Sequence, residues 1–78
     1  MKAEKVFVID PKMKKSIGPA GIPEWAVFSV NMSDPKGLSE FVRANRKGYR
    51  GRLQKFANSR SVIFEFEEDA TAWYIKYA

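Results

Sequence analysis

The feature that most limits how this 78-residue chain can fold is a hairpin pattern in its C-terminal half. Two strand-like segments, 49–56 and 61–67, flank a turn centred on residues 58–59. Antiparallel pairing about this turn puts Leu53 opposite Phe64 on one face. The same register makes three further pairs: Gly51 with Phe66 on that face, and Arg52 with Glu65 and Arg50 with Glu67 on the other. One register therefore satisfies the apolar and the charged residues together, which a slip by one residue would not.

The other segments predict, in chain order, a strand over residues 4–9, a Pro- and Gly-rich basic loop over 11–24, a buried central strand over 25–31 and a helix over 35–47. For the helix, Asp34 is the predicted N-cap and Pro35 the first helical residue. Gly48 then supplies the left-handed residue that follows the helix.

The C-terminal segment is predicted to be a helix with Asp69 as its N-cap. One face of this helix would carry Ala70, Trp73, Tyr74 and Tyr77. An alternation of Trp73, Ile75 and Tyr77 would also suit a strand. If the C-terminal segment is a helix, the order of elements is ββαββα. This order predicts a single α+β domain over residues 1–78, with two helices on one face of an antiparallel sheet.

The composition argues against an enzyme. The chain has no Cys and no His, so thiolate nucleophiles, the usual general base and the commonest metal ligand are absent. Four carboxylates cluster near the C-terminus, at Glu65, Glu67, Glu68 and Asp69. Because the register and the cap already give them structural roles, we expect no catalytic residue, no metal site and no cofactor.

The chain has two apolar runs, residues 6–9 and 25–30, and neither is long enough to direct export or to cross a membrane. Residues 6–9 stop at Asp10-Pro11, short of a signal-peptide core, and residues 25–30 are far fewer than the roughly 20 that a membrane span needs. We expect a soluble cytoplasmic protein that does not contact a membrane.

Positive charge is concentrated in one part of the chain. Residues 37–60 carry a net charge of +6, against +2 for residues 1–36 and −3 for residues 61–78. With Arg50 and Arg52 engaged by glutamates, the predicted binding residues are the remaining cations and two flanking aromatics: Arg43, Arg46, Lys47, Lys55, Arg60, Lys12, Lys14, Lys15, Tyr49 and Phe56. A surface aromatic among arginines is typical of proteins that bind single-stranded nucleic acid. The other aromatics of the C-terminal half are expected in the core, Phe66 among them.

The segment 62–70, Val-Ile-Phe-Glu-Phe-Glu-Glu-Asp-Ala, followed by Trp73 and Tyr74, resembles the ending of many short proteins of tailed bacteriophages. Those are small α+β domains that finish in a strand, an acidic Glu-Asp-Ala start and an aromatic residue. The resemblance covers residues 25–78 at most and is specific over 62–77. It implies a phage origin, and hence the host cytoplasm, but no catalytic residues.

Two hypotheses of different classes follow from the charge and from the resemblance. The first is a non-enzymatic protein that binds DNA or RNA phosphates through the region from Arg43 to Arg60, with the lysine loop as an adjustable arm. The alternative is a phage-encoded inhibitor or modulator that binds an acidic surface of a host protein. A structural subunit of a particle is a third interpretation. Residues that would read specific bases are not recognisable in the sequence.

Overall fold

The computed structural model describes residues 1–12, 22–56 and 59–78. Their elements, in chain order, are β1 (Ala3–Val8), β2 (Phe28–Met32), α1 (Leu38–Ala44), β3 (Leu53–Lys55), β4 (Ser61–Phe64) and α2 (Glu67–Tyr77). The strands form one antiparallel sheet in the order β1-β2-β4-β3. The predicted α+β class and the predicted order ββαββα are confirmed.

Both helices pack on the same face of the sheet, around Trp73. The Trp73 side chain is fully buried, and its ring lies 4.7 to 5.9 Å, centroid to centroid, from the rings of Phe41, Tyr49, Phe64 and Tyr77. The rings meet edge-on or tilted, the arrangements that aromatic quadrupoles favour. Burial of a side chain of this size stabilises the fold by several kcal/mol, on the order of the 3–5 kcal/mol lost when a buried Trp is truncated.

The opposite face of the sheet carries a second, smaller apolar cluster. Ile9, Ala26 and Ile63 are buried there, with Ile22, Trp25 and Phe56 packed against them. Residues of β4 point alternately to the two faces, so this strand is buried along its whole length. The sequence correctly predicted a buried central strand for β2, although it begins at Phe28 because residues 23–26 form a turn closed by the Ala26 N–H and the Pro23 carbonyl (3.1 Å).

The hairpin register is confirmed, and its strands are shorter than predicted. Leu53 pairs with Phe64, and the Glu65 N–H donates to the Arg52 carbonyl at 3.0 Å. Residues 49–51 do not continue the ladder, because the backbone N–H groups of Arg50 and Gly51 donate instead to the carboxylate of Asp69, at 3.0 and 2.8 Å.

Helix α1 begins later than the predicted 35–47. The Asp34 carboxylate accepts the N–H of Lys36 (3.0 Å), and the Leu38 N–H donates to the Pro35 carbonyl (3.1 Å), so these residues form a turn before the helix. Gly37 is left-handed, with φ of +72°, which ends that turn and makes Leu38 the first helical residue. Asp34 therefore caps the turn and not the helix.

At its other end α1 also stops short of the prediction. Asn45 caps the helix, since its backbone N–H and its side-chain amide both donate to the Phe41 carbonyl (3.1 and 2.8 Å). Gly48 adopts the expected positive φ, +97°, in a turn after this cap. The left-handed glycine was predicted correctly, and the helix end was placed too far along the chain.

The C-terminal segment is helical, and the strand alternative is wrong. The N-cap is Phe66 and not Asp69, which is the third helical residue. Phe66 is also 42% exposed instead of belonging to the core, because it lies beyond the end of β4, where the chain bends into α2. Of the predicted loop 11–24, residues 13–21 lie outside the described residues, while Pro11 and Lys12 have helical backbone conformation.

Candidate nucleic-acid interface

An open groove lies between α1 and β3. It has a volume of about 370 Å³ and is lined by Ser39, Val42, Arg43, Arg46, Gln54 and Lys55. Three of the predicted binding residues, Arg43, Arg46 and Lys55, therefore meet at one surface although up to 12 positions separate them in the chain.

Helix periodicity positions the α1 wall of the groove. Leu38 and Val42, one turn apart, are buried against the sheet, which fixes the rotation of the helix about its axis. Ser39 and Arg43 follow them by one residue each and so line up along the exposed flank beside β3. On the strand side, Leu53 is buried and anchors β3 under this flank.

The Arg46 side chain ties the two walls together. Its guanidinium donates a hydrogen bond to the backbone carbonyl of Leu53. Backbone hydrogen bonds across the hairpin flank β3 at Arg52 and Phe56. Because bonded residues alternate along an antiparallel strand, the carbonyl of Leu53 points away from β4 at the edge of the sheet. This bond uses one of the five N–H donors that an arginine side chain carries, and it orients the guanidinium.

The remaining arginines of the basic region are paired with glutamates. Arg52 Nε lies 3.7 Å from Glu65 Oε1, as the register predicts. Arg50 pairs with Glu68 (3.0 Å) and not with the predicted Glu67, because the chain turns into α2 at Glu67.

Arg60 is also compensated, contrary to the expectation that its charge is free. Its guanidinium lies 3.8 Å from the Glu4 carboxylate, which also accepts a hydrogen bond from the Asn31 side-chain amide (3.0 Å). Glu4 and Arg60 come together because only β2, which carries Asn31, separates β1 from β4 in the sheet.

The two aromatics predicted for binding do not line the groove. Tyr49 is half-buried and packs against Trp73 (5.6 Å) and Phe64 (6.4 Å). Burial raises the pKa of the Tyr49 phenol above 10.0, and the nearby Tyr77 and Asp69 raise it further. Phe56 packs in the small cluster on the opposite face of the sheet. Tyr49 is thus a core residue.

Apart from Lys55, the lysines predicted for binding lie away from the groove or outside the described residues. Lys47 is exposed in the turn after α1 and does not line the groove. Lys12 is exposed, with its backbone N–H bonded to the Asp10 carboxylate (2.9 Å). Lys14 and Lys15 lie outside the described residues.

Two polar residues of the groove, Ser39 and Gln54, were not predicted from the sequence. Ser39 could have been found because it lies four residues before Arg43, on the same helix face. Gln54 could have been found because it is next to Lys55.

Three of the four clustered carboxylates make contacts that hold the fold. Asp69 is buried and accepts the two backbone bonds from the turn at residues 50–51, while Glu65 and Glu68 form ion pairs. No group of three or more acidic side chains in residues 1–12, 22–56 and 59–78 is arranged to hold a metal ion.

A second concavity, of about 250 Å³, lies on the sheet face opposite the helices. Its lining is mainly apolar and includes Phe7, Ile22, Phe56 and Ile63. The Phe7 side chain, on the edge strand β1, is 40% exposed there.

Comparison of the chain with models of known protein families, with curated proteins and with solved structures finds no match. In the part of the chain that is described, no helix is long and apolar enough to cross a bilayer.

Proposed function

We propose that this protein is a non-enzymatic nucleic-acid-binding protein that holds phosphates in the groove between α1 and β3. The observation that carries the proposal is the convergence of Arg43, Arg46 and Lys55 on one open groove. Cations gathered at one surface create the positive potential that attracts and retains a polyanion.

The chemistry of the groove suits phosphate in particular. Arginine presents planar N–H donors that match two phosphate oxygens at once, and lysine adds a point charge. Ser39 and Gln54 add neutral donors at the rim. If the three cations each meet a phosphate, the affinity should fall with salt at a log–log slope of about −3, since each contact releases about 0.9 counterion.

The experiment compares two double variants that remove the same charge. R43Q/K55Q removes two groove cations, and R50Q/R52Q removes two cations outside the groove. We expect R43Q/K55Q to weaken binding to a labelled DNA oligonucleotide by about tenfold or more at low salt and to reduce the salt slope by about 2. Fluorescence anisotropy over a series of NaCl concentrations measures both quantities.

R50Q/R52Q is the matched control, since it lowers the net charge equally. It should change the affinity by no more than about threefold, the general effect of a weaker protein field. Equal losses in the two variants, with circular dichroism showing both folded, would mean that binding depends on net charge and not on the groove. A wild-type protein that binds no nucleic acid at low salt would contradict the proposal outright.

A second candidate function, binding of an acidic host protein by a phage-encoded inhibitor, is favoured by the apolar surface on the opposite face. There Phe7 is exposed at the 250 Å³ concavity, whose lining also includes Ile22 and Phe56, and contiguous exposed apolar surface commonly marks protein interfaces. Capture of one host protein from a nuclease-treated bacterial lysate, lost in the F7S variant and kept in R43Q/K55Q, would favour this second function.

A further inference from the structure

We infer that the groove between α1 and β3 takes double-helical and not single-stranded nucleic acid, an inference that rests on the proposed function. Three properties favour the duplex: the positions of the aromatic side chains, the way the groove donors are held, and the charge density of the two kinds of strand.

All eleven aromatic residues of the chain lie in the described segments, so each can be located. Two are fully buried on the helix side, Trp73 and Phe64. The others packed on that side are Phe28, Phe41, Tyr49, Tyr74 and Tyr77. Trp25 and Phe56 pack in the small cluster. Only Phe7 and Phe66 are classed as exposed, at 40% and 42%, and neither lines the groove.

Phe7 lies on β1, the edge of the sheet opposite to β3, about three strand spacings of 4.8 Å away. Phe66 lies over Gly51 at the far end of the hairpin. The basic groove therefore has no ring on which an unpaired base can stack. Stacking contributes about 1–3 kcal/mol per base in proteins that bind single strands. Without it, a single strand gains only phosphate contacts and must still be ordered.

A duplex meets neither difficulty. Its bases are already stacked on each other, and its phosphates stand at fixed positions along a convex backbone that a groove can receive. On the protein side, Arg46 is held by the Leu53 carbonyl, and Arg43 and Lys55 extend from the regular backbones of α1 and β3. Each contact to B-form DNA also releases more counterion, about 0.9 against 0.7 for a single strand.

The test measures the dissociation constants of the full-length protein for three labelled DNA probes of equal length. They are a duplex of about 20 base pairs, one of its separated strands, and oligothymidylate, all in about 50 mM NaCl. We expect the duplex to bind at least about tenfold more tightly than either single strand. A duplex of scrambled sequence should bind equally well, because phosphate contacts carry no base information.

Equal or tighter binding of a single strand would overturn this inference and leave the proposed function standing. Binding to none of the three probes would overturn both. The variants F7A and F66A are the controls: each should leave all three affinities unchanged. A selective loss of single-strand affinity in either variant would locate a stacking surface outside the groove and also overturn the inference.

Discussion

A single carboxylate, that of Asp69, joins the C-terminal helix to the segment before β3. It is only 4% exposed, and its two oxygens accept the backbone N–H groups of Arg50 and Gly51. These two donors would otherwise have no strand partner, because the hairpin ladder ends at Arg52 and Glu65. Asp69 thus limits the length of β3 and fixes the first turn of α2 against residues 50–51, a structural role unlike the capping role that its position predicts.

The Asp69→Ala substitution should destabilise the protein strongly for a single change. It leaves two backbone donors without their charged acceptor, and we expect a loss of about 2–3 kcal/mol of unfolding free energy. That is a large share of the roughly 4–12 kcal/mol expected for a domain of this length. Asp69→Asn keeps one acceptor oxygen and should lose less. Urea unfolding followed by circular dichroism measures both.

Glu68→Gln serves as the control, because it removes only the exposed ion pair with Arg50 and should cost less than about 1 kcal/mol. If Asp69→Ala proves no more destabilising than Glu68→Gln, the two backbone hydrogen bonds do not hold the turn.

At the scale of elements, the hairpin was the most predictable part and the helix ends the least. Its register follows from side-chain alternation, which is local, so Leu53 opposite Phe64 and Arg52 opposite Glu65 could be predicted. Helix α1 loses its predicted first turn because the left-handed Gly37 interrupts an otherwise sound start signal. The shortening of β3 depends on Asp69, 16 residues beyond Leu53, and no local pattern indicates such a contact.

The Gly51→Ala substitution tests the end of the hairpin. A Cβ at this position would lie 2.6 Å from Phe66 Cδ2 and 2.9 Å from Glu65 Oε1, so the ring and the carboxylate must move. Because the φ of Gly51 is not left-handed, the cost is steric, and we expect a loss of about 1–2 kcal/mol.

A double-mutant cycle with Phe66→Ala isolates the contact with the ring. Removing the ring leaves space for the new methyl group, so Gly51→Ala should cost about 1 kcal/mol less in the F66A background than in the wild type. Additive losses, measured by chemical denaturation of all four proteins, would show that the ring does not restrict position 51.

At the scale of the whole molecule, the composition of the candidate site was predictable and its assembly was not. A local excess of cations identified Arg43, Arg46 and Lys55, since net charge over a segment is visible in the sequence. The pairing of Arg60 with Glu4 depends on the strand order β1-β2-β4. The burial of Tyr49 depends on where Trp73 sits, so its neighbours in the sequence, mostly basic, indicate the wrong role.

The two apolar clusters lie on opposite faces of one sheet and share β4. Val62 and Phe64 belong to the helix-side cluster, and Ile63 between them belongs to the smaller one. Neither cluster can come apart without exposing a residue of this central strand. The fold should therefore unfold as one cooperative unit, as most small domains do.

The two tryptophans provide a direct test, because Trp73 lies in the helix-side cluster and Trp25 packs against the smaller one. In the W73F variant, fluorescence reports the small cluster through Trp25, and in W25F it reports the other cluster through Trp73. Each variant has its own stability, so fluorescence is compared with far-UV circular dichroism within one variant. We expect the two signals to give the same urea midpoint and the same slope in both variants. If the Trp25 signal of W73F changes at lower urea than its circular dichroism, the small cluster opens independently of β4 and the coupling through that strand is refuted.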